Sequence, residues 1–336
     1  MKVLHLAYGG QMTTLCPALR EIGIDATSCH LRKSKLDFNP DICLNLQEVP
    51  ESEVYQKRKE FLDEAVKIYD TFHFHWGETF FPDKSDLEYL KSLGKKMVVH
   101  HRGSEVRRLS ISHASGNLWA RVKTSLTEEQ KIANLEKLSQ YIDHAIVADH
   151  ELLSYIKGYY KHIHIIRNAV KLDKFTPNYP TKDKDRPIIV HSPTQTYTKG
   201  SEFVIAAIKK LGKKGYNFKF IPPQNKIPYE KMQKIYKHAD IIVDQLREGV
   251  FGVTSLEGMA QGKPVICHIR EDLVQTFPSD LPIFNANPDT IYSALEKLIT
   301  SPELRFELGV KGRKYIEKHH DSRVIAQQIG EVYKKI

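Results

Sequence analysis

The chain has 336 residues, long for one core and ample for two domains of ordinary size. Hydrophobic residues at 41% and charged residues at 27% exclude a disordered chain and fit a soluble globular protein. The net charge of +9 would suit an anionic substrate, a nucleic acid or an acidic membrane surface, or a lysine-rich solvated face. The basic residues are scattered, without an arginine-rich arm or an RNA-binding aromatic signature, so no nucleic-acid partner is expected.

The four cysteines, Cys16, Cys29, Cys43 and Cys267, form no CxxC pair and have no histidine at zinc-finger spacing. Such thiols fit a reducing compartment. The apolar part of MKVLHLAYGG is too short for a signal peptide, and no run reaches membrane-spanning length. A cytoplasmic protein is expected, with peripheral association with an anionic membrane, on the inner face, as a second location.

In chain order, residues 3–8 read as a strand, 12–22 as a helix and 24–29 as a strand, the opening βαβ of a doubly wound sheet. Gly9, Gly10 and Gln11 after the first strand are candidates for phosphate or sugar contact, although they do not complete a GxGxxG, and tight-turn chemistry explains two glycines equally. A helix over 52–69 leads to the alternating strand 70–77, which puts His73 and His75 on one face. Such a pair can bind metal, but the commoner explanation is a half-buried strand at a cleft edge, and His75 is carried as a cleft residue. A helix at 84–94 precedes a strand from Met97 that runs into His101-Arg102-Gly103-Ser104-Glu105. Helix 127–141, strand 145–148, helix 151–159 and strand 164–166 complete the half.

Residues 171–187, KLDKFTPNYPTKDKDRP, read as a linker rich in Pro, Lys and Asp. A second βα alternation follows: strand 188–191, helix 201–212, strand 218–221, helix 228–238, strand 241–243, helix 253–261, strand 265–269 and a short strand at 282–284. Helices are expected over 289–299, 302–310 and roughly 312–335. Two alternating halves predict an α/β protein of two Rossmann-like, doubly wound domains facing across a cleft.

The most informative stretch is 247–268, REGVFGVTSLEGMAQGKPVICH. A glycine-bearing turn followed by a helix N-terminus is an anion site in waiting, and Glu257 lies further along the helix. Phe251-Gly252-Val253 and Leu256-Glu257-Gly258-Met259-Ala260-Gln261-Gly262-Lys263-Pro264-Val265 resemble the donor-site motif of the retaining glycosyltransferases of family 4, which have the GT-B fold. The resemblance implies that Glu257 holds the ribose hydroxyls of a nucleotide, and that backbone N–H groups of Gly252, Val253 and Thr254, next to Phe251, face its diphosphate. The family's first glutamate, which touches the transferred sugar, falls on Gly249 here. Glu248 sits one place early: either it reaches the same position through a one-residue bulge, the preferred reading, or backbone and another side chain take over.

His191 to Gly200 is similar to the family's loop that carries Arg and then Lys-Gly. Lys199 matches the lysine, Thr194, Gln195 and Thr196 stand where the arginine would be, and Ser201 can cap the next helix. Asn168-Ala169-Val170 with Leu172-Asp173-Lys174-Phe175 looks like the family's interdomain segment. In the first half, residues 101–105 resemble its H-G-[ST]-D loop, with Arg102 in the histidine's place, His101 before it and Glu105 for Asp. Arg102 can bind a donor phosphate or an anionic acceptor in bidentate fashion, but is no general acid–base. Asp183-Lys184-Asp185 lies in a lysine-rich stretch and is rejected as a metal motif, so no metal and no cofactor are expected. The implied domains are 1–170 on the acceptor side, a linker at 171–187, 188–311 on the donor side, and a helix from 312 to 336 crossing back. The implied activity is transfer of a sugar from a nucleotide-diphosphate sugar to a glycan, lipid or small molecule, with His101, Arg102 and Glu248 as candidate catalytic residues. An epimerase on the same fold and a non-catalytic sugar-binding scaffold are the alternatives.

Overall fold

The structure, a computed structural model, describes residues 1–34, 38–224 and 227–336. The chain divides into two compact α/β units. Unit 1 comprises Met1–Arg108, Thr124–Ala169 and Ser322–Ile336; unit 2 comprises Leu109–Lys123 and Val170–Asp321.

The first strands and helices follow the expected alternation: β1 (Lys2–Ala7), α1 (Gly10–Glu21), β2 (Asp25–His30), β3 (Ile42–Cys43), α2 (Glu51–Ile68), β4 (Thr71–His75), α3 (Ser85–Ser92) and β5 (Lys96–His100). The short α4 (Leu109–Ala114) belongs to unit 2, and α5 (Glu128–Ser139), β6 (His144–Val147), α6 (His150–Ile156) and β7 (His162–Ile165) return to unit 1. Among the described residues seven strands form one parallel sheet in the order β3-β2-β1-β4-β5-β6-β7. Crossovers leave β1 toward one edge and β4 toward the other, so the crevice beyond their carboxyl ends is the natural ligand position of the unit. Backbone strain collects there: Ala7 has φ 139° and Trp76 φ 61°, both costly for side chains with a Cβ.

Unit 2 continues with β8 (Ile188–Val190), α7 (Thr196–Lys199), α8 (Ser201–Lys213), β9 (Lys219–Ile221), α9 (Tyr229–His238), β10 (Ile241–Val243), α10 (Val253–Ala260), β11 (Val265–Cys267), α11 (Glu271–Val274), β12 (Phe284–Asn285), α12 (Ile291–Thr300) and α13 (Pro302–His319). Its strands are again parallel, in the order β12-β11-β10-β8-β9, so the reversal of strand order lies between β8 and β10. The final helix, α14 (Ser322–Tyr333), is part of unit 1, where Ile325, Ala326 and Ile329 share a core with Leu15 and Leu19 of α1. Among the described residues no helix is long and apolar enough to cross a membrane.

Three expectations need correction. The segment 171–187 is no free linker. Phe175 is buried in the unit 2 core, the N–H of Asn178 donates to the carbonyl of Gln261 at 2.9 Å, and Lys184 pairs with Asp240 at 2.5 Å. Its Pro and Lys content reflects an irregular path over the unit, fixed by packing. Second, the helices expected at 302–310 and 312–335 divide elsewhere, at His320-Asp321, so that the terminal element starts at 322 and not at 312. Gly309 and Gly312 lie inside α13 and serve close approach: a Cβ on Gly309 would stand 2.2 Å from the carbonyl oxygen of Gly262, and one on Gly312 would press on Met259 at 3.1 Å. Third, Leu109–Lys123 leaves the first unit for the second, where Asn117 Nδ2 donates to the carbonyl of Arg247 at 2.8 Å.

Candidate functional site

In unit 2 the loops after β8 and β10 flank the reversal of strand order and bring the candidate donor residues together. The β8 loop leads through α7 to Lys199, and Gly200, at φ 76°, turns the chain into α8. Lys199 Nζ lies 2.8 Å from Glu248 Oε1 and also donates to Gln245 Oε1. Glu248 comes from a turn that only glycine permits at the next position. Gly249 has φ 78°, and a Cβ there would meet the Arg270 side chain at 2.6 Å. Val250 then enters the core and its carbonyl accepts from Gln245. The one-residue shift thus aims the Glu248 carboxylate at the ammonium of Lys199. Thr194, Gln195 and Thr196 lie on the exposed rim of this loop. Ser201 does not cap α8: its hydroxyl bonds His191 Nε2 at 2.7 Å, which ties the helix to the end of β8.

The N-terminus of α10 is partly occupied by the protein itself. Asp244, directly after β10, accepts from the N–H of Gly252 at 2.8 Å and from Ser255 Oγ at 2.6 Å. Gly252's N–H therefore faces a carboxylate in this structure, which corrects the expectation that it faces a diphosphate, and Asp244 complements the helix dipole. Val253 is 44% exposed and Thr254 half-buried at the same turn, while Phe251 packs on Phe277 with ring centroids 5.1 Å apart.

Glu257 sits one turn into α10, half-buried. Tyr229 Oη donates to its Oε1 at 2.8 Å and Gln233 Nε2 to its Oε2 at 2.6 Å, both from α9. Burial, aided by the negative charge of Asp244, pushes its pKa up from 4.5 to about 7 against those two hydrogen bonds. Asp244, Gln245, Tyr229 and Gln233 were missed in the sequence. The first two carried a signal, since they follow β10 directly and α/β ligands bind beyond the carboxyl ends of strands.

In unit 1, Arg102 follows β5 and is half-buried. Its Nε and Nη2 approach His75 Nδ1 at 3.3 and 2.9 Å, and its Nη1 donates to Asn168 Oδ1 at 2.9 Å. Glu105 does not pair with the guanidinium; it accepts from the backbone N–H groups of Arg102 at 2.6 Å and Gly103 at 2.9 Å and so closes the loop. His101 is fully buried, with Nε2 2.9 Å from Tyr160 Oη and Nδ1 3.4 Å from Glu105. His75 is likewise buried, beneath Arg102. These two histidines, neither presented to solvent, and the partly exposed Glu105 thus support the Arg102 loop. Gly9, at φ 117°, heads α1 with its N–H 3.3 Å from His30 Nε2, and a Cβ on Gly10 would strike Phe38 at 2.8 Å. Gln11 is fully engaged with the backbone of Ala169, donating at 3.0 Å and accepting at 2.9 Å, so its amide clasps the chain.

Comparison with known proteins relates part of the sequence to a family and the fold to solved structures. Residues 195–331 match the glycosyl transferase-like family. An uncharacterized glycosyltransferase of Methanocaldococcus jannaschii is 23% identical over 45% of this chain and 45% of its own length, so the match spans just under half of that relative. Among solved structures, sucrose-phosphate synthase from Thermosynechococcus elongatus superposes with a TM-score of 0.71 at 17% identity, covering 100% of this chain and 99% of that one. The Anabaena protein HepE, in complex with UDP and glucose, does so with a TM-score of 0.67 at 12% identity over 100% of both chains. The chain therefore has the two-unit GT-B fold of glycosyltransferases, and its residues 195–331 form a glycosyl transferase-like segment.

Proposed function

We propose that this chain transfers a sugar, with retention and without a metal ion, from a nucleotide-diphosphate sugar to a glycan, lipid or small-molecule acceptor. The observation that carries the reading is the position of Lys199, Glu248 and Glu257. Lys199 ends α7 after β8, Glu248 lies in the loop after β10 and Glu257 in the helix α10 behind it, so all three flank the strand-order reversal of unit 2 within the segment that matches the family.

In this reading Lys199 and the N–H groups of Val253 and Thr254 neutralise the leaving diphosphate, an electrostatic contribution of the oxyanion-hole kind. Glu257 releases Tyr229 and Gln233 and accepts the two ribose hydroxyls instead. Glu248 contacts the transferred sugar, and Thr194, Gln195 and Thr196 offer neutral donors at the rim. Arg102 binds an oxyanion, with His101, His75 and Glu105 holding its loop, while Gly9 and Gly10 give a ligand close access to the head of α1. The protein works in the cytoplasm, including at the inner face of an anionic membrane. Because HepE was solved with UDP-glucose, that donor is the first to test.

A thermal-shift screen against UDP-, GDP- and ADP-sugars should raise the melting temperature with one base only. Nucleotide release should then require an acceptor, persist in EDTA and be lost in Glu257→Ala. Stabilisation by no nucleotide would leave the scaffold alternative, and sugar interconversion without acceptor the epimerase.

A further inference from the structure

Four histidines line one face of unit 1 on adjacent strands. His5 on β1 pairs in register with His73 on β4, and His75 on β4 pairs with His100 on β5. All four are buried, and Tyr333 of α14 lies edge-on against His5 and His73. The ligand atoms of His5, His73 and His75 lie within 4.8 Å of one another, a spacing that invites a metal ion.

The polarity of the hydrogen bonds points elsewhere. Arg102 can only donate, so the Nδ1 of His75 that faces it at 2.9 Å must be bare. A neutral His75 then carries its proton on Nε2 and donates to His5 Nδ1 at 3.0 Å. His5 in turn carries its proton on Nε2 and donates to Tyr333 Oη at 2.9 Å. The Tyr333 hydroxyl donates to His73 Nδ1 at 2.6 Å, and the chain ends at His73 Nε2, a buried atom with no partner. For His75 to bind a metal through Nε2, its proton would have to move to Nδ1, against the N–H groups of Arg102. Burial keeps the rings neutral: the pKa of His5 falls to about 3, and those of His73 and His75 fall well below the usual 6.5, burial being the largest cause and Arg102 a contributor.

This chain fixes Arg102 from behind. Nε, one hydrogen of Nη2 and one of Nη1 are engaged by His75 and Asn168. A guanidinium has five N–H donors, so one remains on each terminal nitrogen. We infer that the tautomer-locked run His73–Tyr333–His5–His75, with Asn168, makes Arg102 a preorganised oxyanion receptor, in which His75, His5 and Tyr333 are positioning residues. The inference rests on the proposed glycosyl transfer and gives Arg102 a ligand class: a phosphate or carboxylate borne by the donor or by the acceptor.

The test is histidine and arginine side-chain NMR on the whole protein. His5, His73 and His75 should each appear as the neutral Nε2–H tautomer throughout pH 5–8, with Arg102, Glu105, Asp41 and His100 as the charged or titratable neighbours. The Arg102 Nε–H signal, assigned by its loss in Arg102→Lys, should move on titration with inorganic phosphate or acetate. Asn168→Ala, which leaves the histidines in place, should weaken that response about threefold to tenfold. Tyr333→Phe, which removes the donor to His73 and the acceptor of His5, should let His73 sample both tautomers while His75, held by Arg102, keeps its Nε2 proton, and should weaken the response as well. Abolition of the phosphate response by saturating UDP would support the receptor and assign the oxyanion to the donor; persistence would support it and assign the oxyanion to the acceptor. A His75 protonated on Nδ1, an Arg102 signal indifferent to both anions, or one equivalent of tightly held zinc would overturn the inference. Failure of the glycosyltransferase reading would appear separately, as absence of binding by every nucleotide sugar while the tautomers and the Arg102 response remain.

Discussion

Replacing Glu257 by glutamine should remove a pH dependence from the stability of unit 2. The carboxyl has an ordinary pKa of 4.5 and is raised to about 7 in the fold, so folding favours the neutral acid. The sign follows: its contribution to stability is fully present below pH 4.5 and is lost as pH rises through 7. The difference converts, at about 1.4 kcal/mol per pH unit, to roughly 3 kcal/mol as an upper limit. The side chain keeps some exposure, so about 1–2 kcal/mol is expected between pH 5 and pH 8.5, or roughly 3–6 °C in Tm. Glutamine can still accept from Tyr229, but its amide nitrogen would face the Gln233 donor, a cost independent of pH. The informative quantity is therefore the difference between wild-type and variant urea midpoints across pH. Wild type should lose stability relative to Glu257→Gln as the pH rises, and parallel curves would refute the argument. A nucleotide that donates two ribose hydroxyls prefers the carboxylate, so its affinity for wild type should rise several-fold from pH 6 to pH 8 and stay flat in the variant.

Four further outcomes follow from the packing. Lys199→Met should weaken UDP binding by about 10- to 100-fold in titration calorimetry, since the diphosphate loses its ammonium. Glu248→Gln, which frees that ammonium from its 2.8 Å partner, should bind UDP as well or better yet turn over more slowly; weaker UDP binding would count against the assignment. Gly309→Ala sets a methyl against the carbonyl of Gly262 and should cost about 3 kcal/mol in urea unfolding, whereas a change below about 0.5 kcal/mol would show that α13 can shift aside. Arg305→Met should cost about 2–4 kcal/mol, because fully buried Arg305 donates to the carbonyls of Leu298, Ile299 and Lys184.

The alternation of strand and helix was legible because parallel strands buried on both faces, such as Ile188–Val190 and Ile241–Val243, are short apolar runs between amphipathic helices. The donor stretch was legible because its constraints are local: a glycine where φ is positive, a helix behind it, a carboxylate one turn into that helix. What escaped depends on residues far apart in the chain. Nothing near Glu257 announces that Tyr229 and Gln233 will hold it, and nothing near His75 announces Tyr333. The continuity of α13 through Gly309 and Gly312 escaped for the same reason. A glycine that breaks a helix and a glycine that admits a neighbouring backbone look alike until the neighbour is placed.

The division of the chain also sets an order of assembly. Unit 2 is made almost entirely of a continuous run, Val170–Asp321, and can close as soon as that run is complete. Unit 1 begins at Met1, yet Ile325, Ile329 and Tyr333 complete its core. During synthesis, then, the half that is translated first is the half that finishes last, with α1 and the histidine face uncovered while unit 2 is being made. A released chain that ends before residue 322 should hold a folded unit 2 and an unfinished unit 1 with an exposed apolar face. The segment that seals it is also the one that supplies the Tyr333 hydroxyl to His5 and His73, so the polar order behind Arg102 is established in the last step of folding.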